Sequence, residues 1–228
     1  MIIMYANDAA FYEATIVSTR TSNELKERLI RKTFLRKRAF DFVFAGFVVV
    51  FLLSWLVPLI ALLIKLGSKG PIFFKQLRTG KQGKSFYCLK FRSMTINAES
   101  DSKQTSRGDI RVTKLGAILR KTSLDELPQF INVLKGEMSV VGPRPHMLQH
   151  TEQYAKIIHN FMDRHLIMPG ITGLAQVLGY RGETKELDAM AKRVNADIHY
   201  IHNMSWLMDL KIIGLTVKQV FKRPGNAF

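Results

Sequence analysis

The sequence predicts a helix-rich α+β fold for a monotopic membrane protein. One kinked, re-entrant helix would enter the bilayer, and a small cytoplasmic domain would contain a β-hairpin. Three observations predict this. The run "FVFAGFVVVFLLSWLVPLIALLI", Phe42–Ile64, carries no charge, and about 20 apolar helical residues cross a bilayer core. Beyond it the pattern changes to short β-prone runs rich in Phe and Tyr, separated by a glycine-containing loop. From about Val112 onward, apolar residues at helical spacing alternate with capping signals and glycine stops. The organisation expected is an N-terminal extension at 1–38, the membrane helix at 39–66 and the cytoplasmic domain at 67–228.

Composition narrows the partners. Lys and Arg outnumber Asp and Glu by 34 to 18, and 47% of the 228 residues are hydrophobic. That is enough apolar material for a core and excludes a chain disordered by composition. The basic excess favours an anionic partner: nucleic acid, an acidic membrane surface or a phosphorylated substrate. A nucleic-acid binder does not need the uncharged run, and no RNA- or DNA-binding module is present. Cys88 is the only cysteine, so no intrachain disulfide forms, which suits the cytoplasmic side.

Taken in order, residues 1–20 show no pattern. "TSNELKERLIRKTFLRKRAF", residues 21–40, reads as a basic helix. Thr21 and Glu24 have capping-box spacing, and Leu25, Leu29 and Phe34 form an apolar stripe suited to an anionic bilayer. A solvated basic helix is the alternative. In the membrane segment, Arg36, Lys37 and Arg38 stand before the run and Lys65, Lys69 and Lys75 after it. Basic residues mark the cytoplasmic side, so both ends belong there. Pro58 removes a helical hydrogen bond and clashes with the carbonyl of Ser54, whose hydroxyl can bond a freed backbone group. A break at Ser54 and Pro58 would turn the segment back to its own face; a kinked span is the alternative.

"GPIFFKQLR" and "KSFYCLKFRSM" then read as a hairpin. On the second strand Lys90 and Arg92 would share a face, able to hold phosphate or simply solvated. "NAESDSKQTSRGD" is a polar loop, and Leu115, Ile118 and Leu119 mark a helix over about Val112–Lys121. Next comes "SLDELPQFINVLKGEMSVVGPRP". If Asp125 caps the following helix, Pro128 falls in the first turn, where its missing N–H costs nothing. The helix then runs to about Lys135 and stops at Gly136. A carboxylate held there is kept ionised by backbone N–H groups and the helix dipole. Beside Arg120, Lys121 and Arg144, such a pair is either a cap with a first-turn acid or the apparatus for phosphoryl transfer: a nucleophile, a second carboxylate for a metal, and cations for the oxygens. "SVVGPRP" shifts the balance towards chemistry, with a rigid turn whose side chain is incidental as the alternative. Two prolines fix the backbone around Arg144 and aim its side chain, which matters for an arginine that meets a phosphate or carboxylate.

"MPGITGLAQVLGYRGET" contains four glycines, with Gln176, Tyr180, Arg181 and Glu183 expected exposed among turns; it matches no Walker or dinucleotide pattern. The remainder reads as two helices that break near Asn203. Trp206, Leu207, Leu210, Ile213 and Val217 of the last suit either a packed helix or a membrane interface. His199 and His202 lack a third ligand for zinc.

Taken together, "KGPIFFKQLRTGKQGKSFYCLKFRSM", "LRKTSLDELPQFINVLKGEMSVVGPRP", "PGITGLAQV" and "DLKII" resemble the monotopic phosphoglycosyl transferases. These are bacterial sugar transferases that load a sugar phosphate onto a polyprenyl phosphate, and the likeness covers about Lys37 to Lys222. The resemblance implies a Mg²⁺-dependent, two-step reaction at the cytoplasmic face of the bacterial inner membrane. It would be the first membrane step of exopolysaccharide, capsule, O-antigen or glycoprotein-glycan assembly. Asp125 would attack the sugar-linked phosphate of a UDP-sugar, releasing UMP, and the phosphosugar would then pass to undecaprenyl phosphate. Glu126 would bind the metal with Asp125. Lys90, Arg92, Arg120, Arg144, Gln176, Arg181 and Asp197 are the expected phosphate- and substrate-binding residues, and "GYRGET" points to a hexose. The resemblance implies no oligomeric state. Two departures stand out: Trp55 follows Ser54 where the family often has proline, and Met168 stands where a basic residue is common. Without a large N-terminal membrane domain, the chain is expected to be a short form.

Overall fold

The computed structural model describes residues 34–95, 108–180 and 187–222. The chain divides into two compact units, Met1–Phe40 and Asp41–Phe228. Of the first, residues 34–40 are described, all helical; the basic helix expected from Thr21 begins outside the described residues.

Phe34–Gly67 is one helix long and apolar enough to cross a membrane. It comprises α1 (residues 34–48), a wide π turn at Val49–Leu53 and α2 (Ser54–Gly67). Sequence reasoning placed the irregularity at Ser54 and Pro58. The wide turn lies just before them, and the Ser54 N–H bonds back to Val49 O. One extra residue in that turn keeps a single stripe in phase on both sides of it. Asp41, Ala45, Leu53, Leu56, Ile60 and Ile64 are buried, whereas Phe42, Val43, Phe47, Phe51, Trp55, Leu59, Leu62 and Leu66 are exposed. The buried stripe of α2 packs on Phe91 and Leu119, with Leu115, Leu124 and Leu127 beside them. The opposite stripe leaves a continuous apolar face.

The hairpin is as expected. β1 (Phe73–Thr79) pairs antiparallel with β2 (Ser85–Phe91). Helix α3 (Lys114–Lys121) starts at Thr113, whose hydroxyl accepts from the Gly116 N–H at 2.9 Å. A Cβ on Gly116 would overlap the Ser93 carbonyl, so this glycine sets how closely α3 approaches the end of β2. After α4 (Gln129–Lys135), Gly136 takes a φ of 83° and ends the helix. β3 (Ser139–Val141) then lies parallel to β4 (Gly170–Thr172), joined through α5 (Leu148–Ile157) and a 3-10 segment, Phe161–His165. The backbones meet without room for side chains: a Cβ on Gly170 would strike the backbone of Gly142. Short α6 (Leu174–Val177), then α7 (Leu187–Asn203) and α8 (Trp206–Lys222), complete the chain. On α8, Asp209 and Ile212 are buried while Trp206, Leu207, Leu210, Val217 and Phe221 are exposed. It is thus both packed on one side and apolar on the other.

Candidate active site

The acidic pair does not sit where sequence reasoning put it. Asp125 is not a helix cap. Helix α3 ends at Lys121, Ser123 adopts the left-handed conformation at φ 57°, and Leu124–Glu126 forms a separate 3-10 turn. Helix α4 begins at Gln129, behind Pro128. The proline breaks the element in two, and both carboxylates fall in the short piece ahead of it. A non-glycine residue in the left-handed region is uncommon and clusters at functional sites.

The turn is held against β2 from below. Asn132 of α4, fully buried, accepts from the Leu89 N–H at 3.0 Å and donates to Tyr87 O at 2.8 Å and to Glu137 Oε2 at 2.6 Å. That contact brings Lys90 over the turn, where its Nζ donates to Glu126 Oε1 at 2.7 Å. Arg144 closes the other side with a fork. Its Nη1 donates to Glu126 Oε2 at 3.1 Å and its Nη2 to Oε1 at 2.5 Å. Such bidentate geometry is the strong form of this pairing.

The backbone of Arg144 is fixed as its flanking prolines suggested, and by more than those prolines. Arg78 donates to Pro145 O at 2.9 Å and the Thr79 N–H to His146 O at 2.9 Å. From behind, Arg164 donates to Arg144 O at 3.0 Å, contacts His146 Nδ1 at 2.6 Å and pairs with Asp197 at 2.5 Å. Arg164 and Asp197 are almost wholly buried, at 1% and 2% exposure. Burial, reinforced by the Arg164 charge, lowers His146 well below its ordinary range, so the ring is neutral and can accept from Arg164.

Of the expected site residues, the structure brings together Asp125, Glu126, Lys90, Arg120 and Arg144. Asp125 is buried, and the charges that act on it are those of Glu126, Lys90, Arg120 and Arg144. Arg120 donates towards Ser93 Oγ at 3.5 Å. Arg92 goes elsewhere. It lies just past the end of β2, so the alternation that paired it with Lys90 no longer holds. Its guanidinium donates to the carbonyls of Lys69 (2.7 Å) and Ser68 (2.8 Å). Gln176 is not exposed in a loop: it is buried in α6 and donates to Ile171 O at 3.0 Å. Asp197 reaches this group through Arg164, which also donates to Arg144 O. Arg181 lies outside the described residues. Ser54 and Pro58 are exposed on the apolar face of the helix Phe34–Gly67. Sequence reasoning missed Arg164, His146 and Asn132, which carry no local pattern. It also missed Asp41, which could have been found: a carboxylate at the edge of an uncharged run needs a partner.

Two adjacent carboxylates thus acquire opposite properties. Burial, then the Glu126 charge, raises the Asp125 carboxyl from 3.8 to about 6. Burial alone would raise Glu126 too, but Arg144 and then Lys90 overcome it and hold Glu126 well below the usual carboxylate range. Titratable pairs pushed apart in this way mark acid–base and nucleophile assignments. For a cation, Asp125 and Glu126 offer two carboxylates, and no group of three or more His, Cys, Asp or Glu gathers among the described residues. Mg²⁺ is commonly held by one or two carboxylates with substrate phosphates and water completing its shell. The residues fit Mg²⁺ on that condition.

The bacterial sugar transferase family profile matches residues 31–223. The chain is 52% identical over 187 residues to the UDP-glucose:undecaprenyl-phosphate glucose-1-phosphate transferase of Klebsiella pneumoniae, covering 81% of this chain and 40% of that protein. It is 51% identical over 189 residues to the like-named protein of Escherichia coli K12, covering 82% and 40%. A third of that name, from Caulobacter vibrioides, is 48% identical over 184 residues, covering 80% and 68%. The chain spans about two fifths of the length of the first two. With a family match that takes in the acidic pair, the lysine of β2 and the Pro-Arg-Pro strand exit, the chain belongs to the bacterial sugar transferase family.

Proposed function

We propose that this chain transfers a sugar 1-phosphate from a UDP-sugar to undecaprenyl phosphate, with Asp125 as the nucleophile. The observation that carries the reading is a single turn in which Asp125 is buried and its neighbour Glu126 is clasped by Lys90 and the Arg144 fork. A carboxylate of ordinary acidity is a weak nucleophile. Raised to about 6, Asp125 is more basic, yet still mostly ionised at neutral pH. Glu126 stays anionic and holds Arg144 and Lys90 over it.

In the first step an Asp125 oxygen attacks the phosphorus next to the sugar. The bond between that phosphorus and the bridging oxygen breaks, and UMP leaves with the bond's electron pair. An acyl phosphate that bears the sugar remains on Asp125. In the second step a phosphate oxygen of the lipid attacks the same phosphorus, and the Asp125 carboxylate departs. Arg144, Lys90 and Arg120 offset the charge on the phosphoryl oxygens in both steps. Asp125 and Glu126 would also hold Mg²⁺, which when bound offsets charge on the diphosphate and the leaving group.

We further propose that the helix Phe34–Gly67 is re-entrant, with both ends on the cytoplasmic side of the bacterial inner membrane. The site would then meet nucleotide sugar from water and lipid phosphate from the bilayer. Basic flanks and the packing of both halves of the helix on one domain support this. The exposed apolar side of α8, with Lys211 and Lys218 nearby, fits the anionic interface. Glucose is the first sugar to test, since the three relatives above are named for it; the product would feed surface polysaccharide assembly.

Purified protein, undecaprenyl phosphate, Mg²⁺ and a panel of UDP-sugars provide the test, read as UMP release. UMP release that depends on the lipid and on one hexose is expected. No turnover with any UDP-sugar would refute the activity. Sugar-labelled donor without lipid should leave label on the wild type and none on Asp125→Asn. Normal turnover with no label ever retained would favour direct in-line transfer.

A further inference from the structure

We propose that Asp41 and Arg92 are positioning residues: two latches that hold the ends of the membrane helix to the two backbone segments carrying the active-site cations. The inference rests on the re-entrant reading above. At the start of the apolar run, Asp41 is buried at 2% exposure and accepts from the Val140 N–H at 3.0 Å. Ser139 and Val141 of β3 face β4, so the Val140 amide points to the opposite edge and would be orphaned without the carboxylate. Phe44, one turn on, rests 6.0 Å from the Phe130 ring. At the far end, Arg92 takes the carbonyls of Ser68 and Lys69 and also Ser68 Oγ, at 3.0 Å. These carbonyls follow the last turn of α2, where a cation is favoured.

Each latch leads directly to a cation on Glu126. After Val140 and Val141 come Gly142, whose N–H donates to Thr172 O at 2.8 Å, and Pro143, whose carbonyl accepts from Gly170 at 2.9 Å; Arg144 comes next. Arg92 stands two residues past Lys90, its own N–H bonded to Ile72 O at 2.9 Å. Lys90 and Arg144 converge on Glu126. The seating of the helix therefore sets the spacing of the two cations across the acidic pair. It also sets the height of that pair above the lipid.

The latches also oppose crossing. A straight helix rises 1.5 Å per residue, which puts Asp41 and Ser68 about 40 Å apart, more than the roughly 30 Å hydrocarbon core. With both ends bonded to one domain, a spanning helix would force that domain, with its buried and surface charges, into hydrocarbon. With both latches closed, the two ends of the helix stay on the same side of the bilayer, as the re-entrant reading requires.

The test reads the depth of Trp55, which is exposed on the apolar face, in a Trp206→Phe background. Protein in vesicles of phosphatidylethanolamine and phosphatidylglycerol is quenched with lipids brominated at different acyl depths, and UMP release is measured on the same samples. Asp41→Ala and Arg92→Met should each move Trp55 to a different depth and lower turnover roughly tenfold to a hundredfold, the scale of an ångström-sized misplacement. Asp41→Asn keeps an acceptor for Val140 and should leave both readings at the wild-type value. Turnover lost with Trp55 unmoved, or both readings unchanged in Asp41→Ala and Arg92→Met, overturns the proposal. Failure of the re-entrant reading has a separate signature. In wild type with Cys88→Ser, a cysteine at Lys69 would react with an impermeant thiol reagent in intact cells.

Discussion

Replacing Asp125 with Asn should abolish turnover and make the protein more stable. Asp125 is 6% exposed, and its carboxyl is raised from 3.8 to about 6, first by burial and then by Glu126. Between those values the folded chain keeps a proton that the unfolded chain has lost. Stability therefore falls as pH rises through this window, and above about 6 the full cost is present. At about 1.4 kcal/mol per pKa unit, the rise corresponds to about 3 kcal/mol. Asn has the same shape without the charge, so Asp125→Asn should gain up to that amount at pH 8 and almost nothing near pH 4. In a chain of this size about 3 kcal/mol moves the melting temperature by roughly 6–12 °C. Melting curves of both proteins in the same micelles, from pH 4 to pH 8, give the difference directly. Turnover should fall by roughly 10⁴-fold or more, as for loss of a nucleophile. If Asp125→Asn were less stable than wild type at pH 8, or the difference were independent of pH, the tuning argument would fail. Asp125 would then be a structural residue.

Glu126→Gln should do the opposite to stability. Arg144 and Lys90 would keep their places without a counter-charge, at a cost of about 3–5 kcal/mol near pH 7, seen in the same melts. Because Glu126 is held below its ordinary range, its stabilisation is present above about pH 4.5 and lost on acidification, so the gap between Gln and wild type should close in acid. Asp197→Asn leaves Arg164 buried without its carboxylate and loosens the Arg144 carbonyl behind the fork. Turnover should drop with little change in KM for the UDP-sugar, measured by steady-state UMP release. Gly170→Ala should destabilise by about 3 kcal/mol or more, since its Cβ meets backbone rather than a movable side chain; urea unfolding checks it. Pro58→Leu restores a helical bond and should leave Trp55 quenching unchanged if the Asp41 and Arg92 contacts, rather than the proline, seat the helix.

The hairpin, the helix stop at Gly136 and the break between α7 and α8 were legible because each rests on a local rule. Glycine tolerates positive φ, Phe and Tyr favour strands, and polar residues mark turns. The convergence of Lys90 and Arg144 was only half legible. Their stiff local settings showed in the sequence, but their shared partner depends on Asn132 docking α4 beneath β2, a contact 43 residues apart. Arg92 misled because alternation applies only while a strand lasts, and β2 ends at Phe91. Arg164 and Asp197 were hidden for the same reason as Asn132. A buried ion pair 33 residues apart leaves no trace in composition or spacing.

The most instructive departure is at Asp125 itself. Had the helix begun there, its first-turn N–H groups and dipole would have solvated the carboxylate and lowered its pKa. That would make a good cap and a poor nucleophile. Pro128 moves the helix start to Gln129, and the left-handed Ser123 closes α3 before it can continue. Between them a three-residue turn is left that is neither helix, so Asp125 forgoes helix solvation while Glu126, one residue on, receives the Arg144 fork. Ser123 is the residue that pays conformational strain, about 1–2 kcal/mol for a side chain in this region. Ser123→Gly should therefore keep both stability and turnover. Ser123→Val, which strongly resists positive φ, should shift the turn towards regular helix, lower the Asp125 pKa and slow the first step. The pH at which turnover reaches half its plateau would move to lower values in Ser123→Val. An unchanged pH profile in a folded Ser123→Val protein would show that burial alone, without this turn geometry, sets the basicity of Asp125.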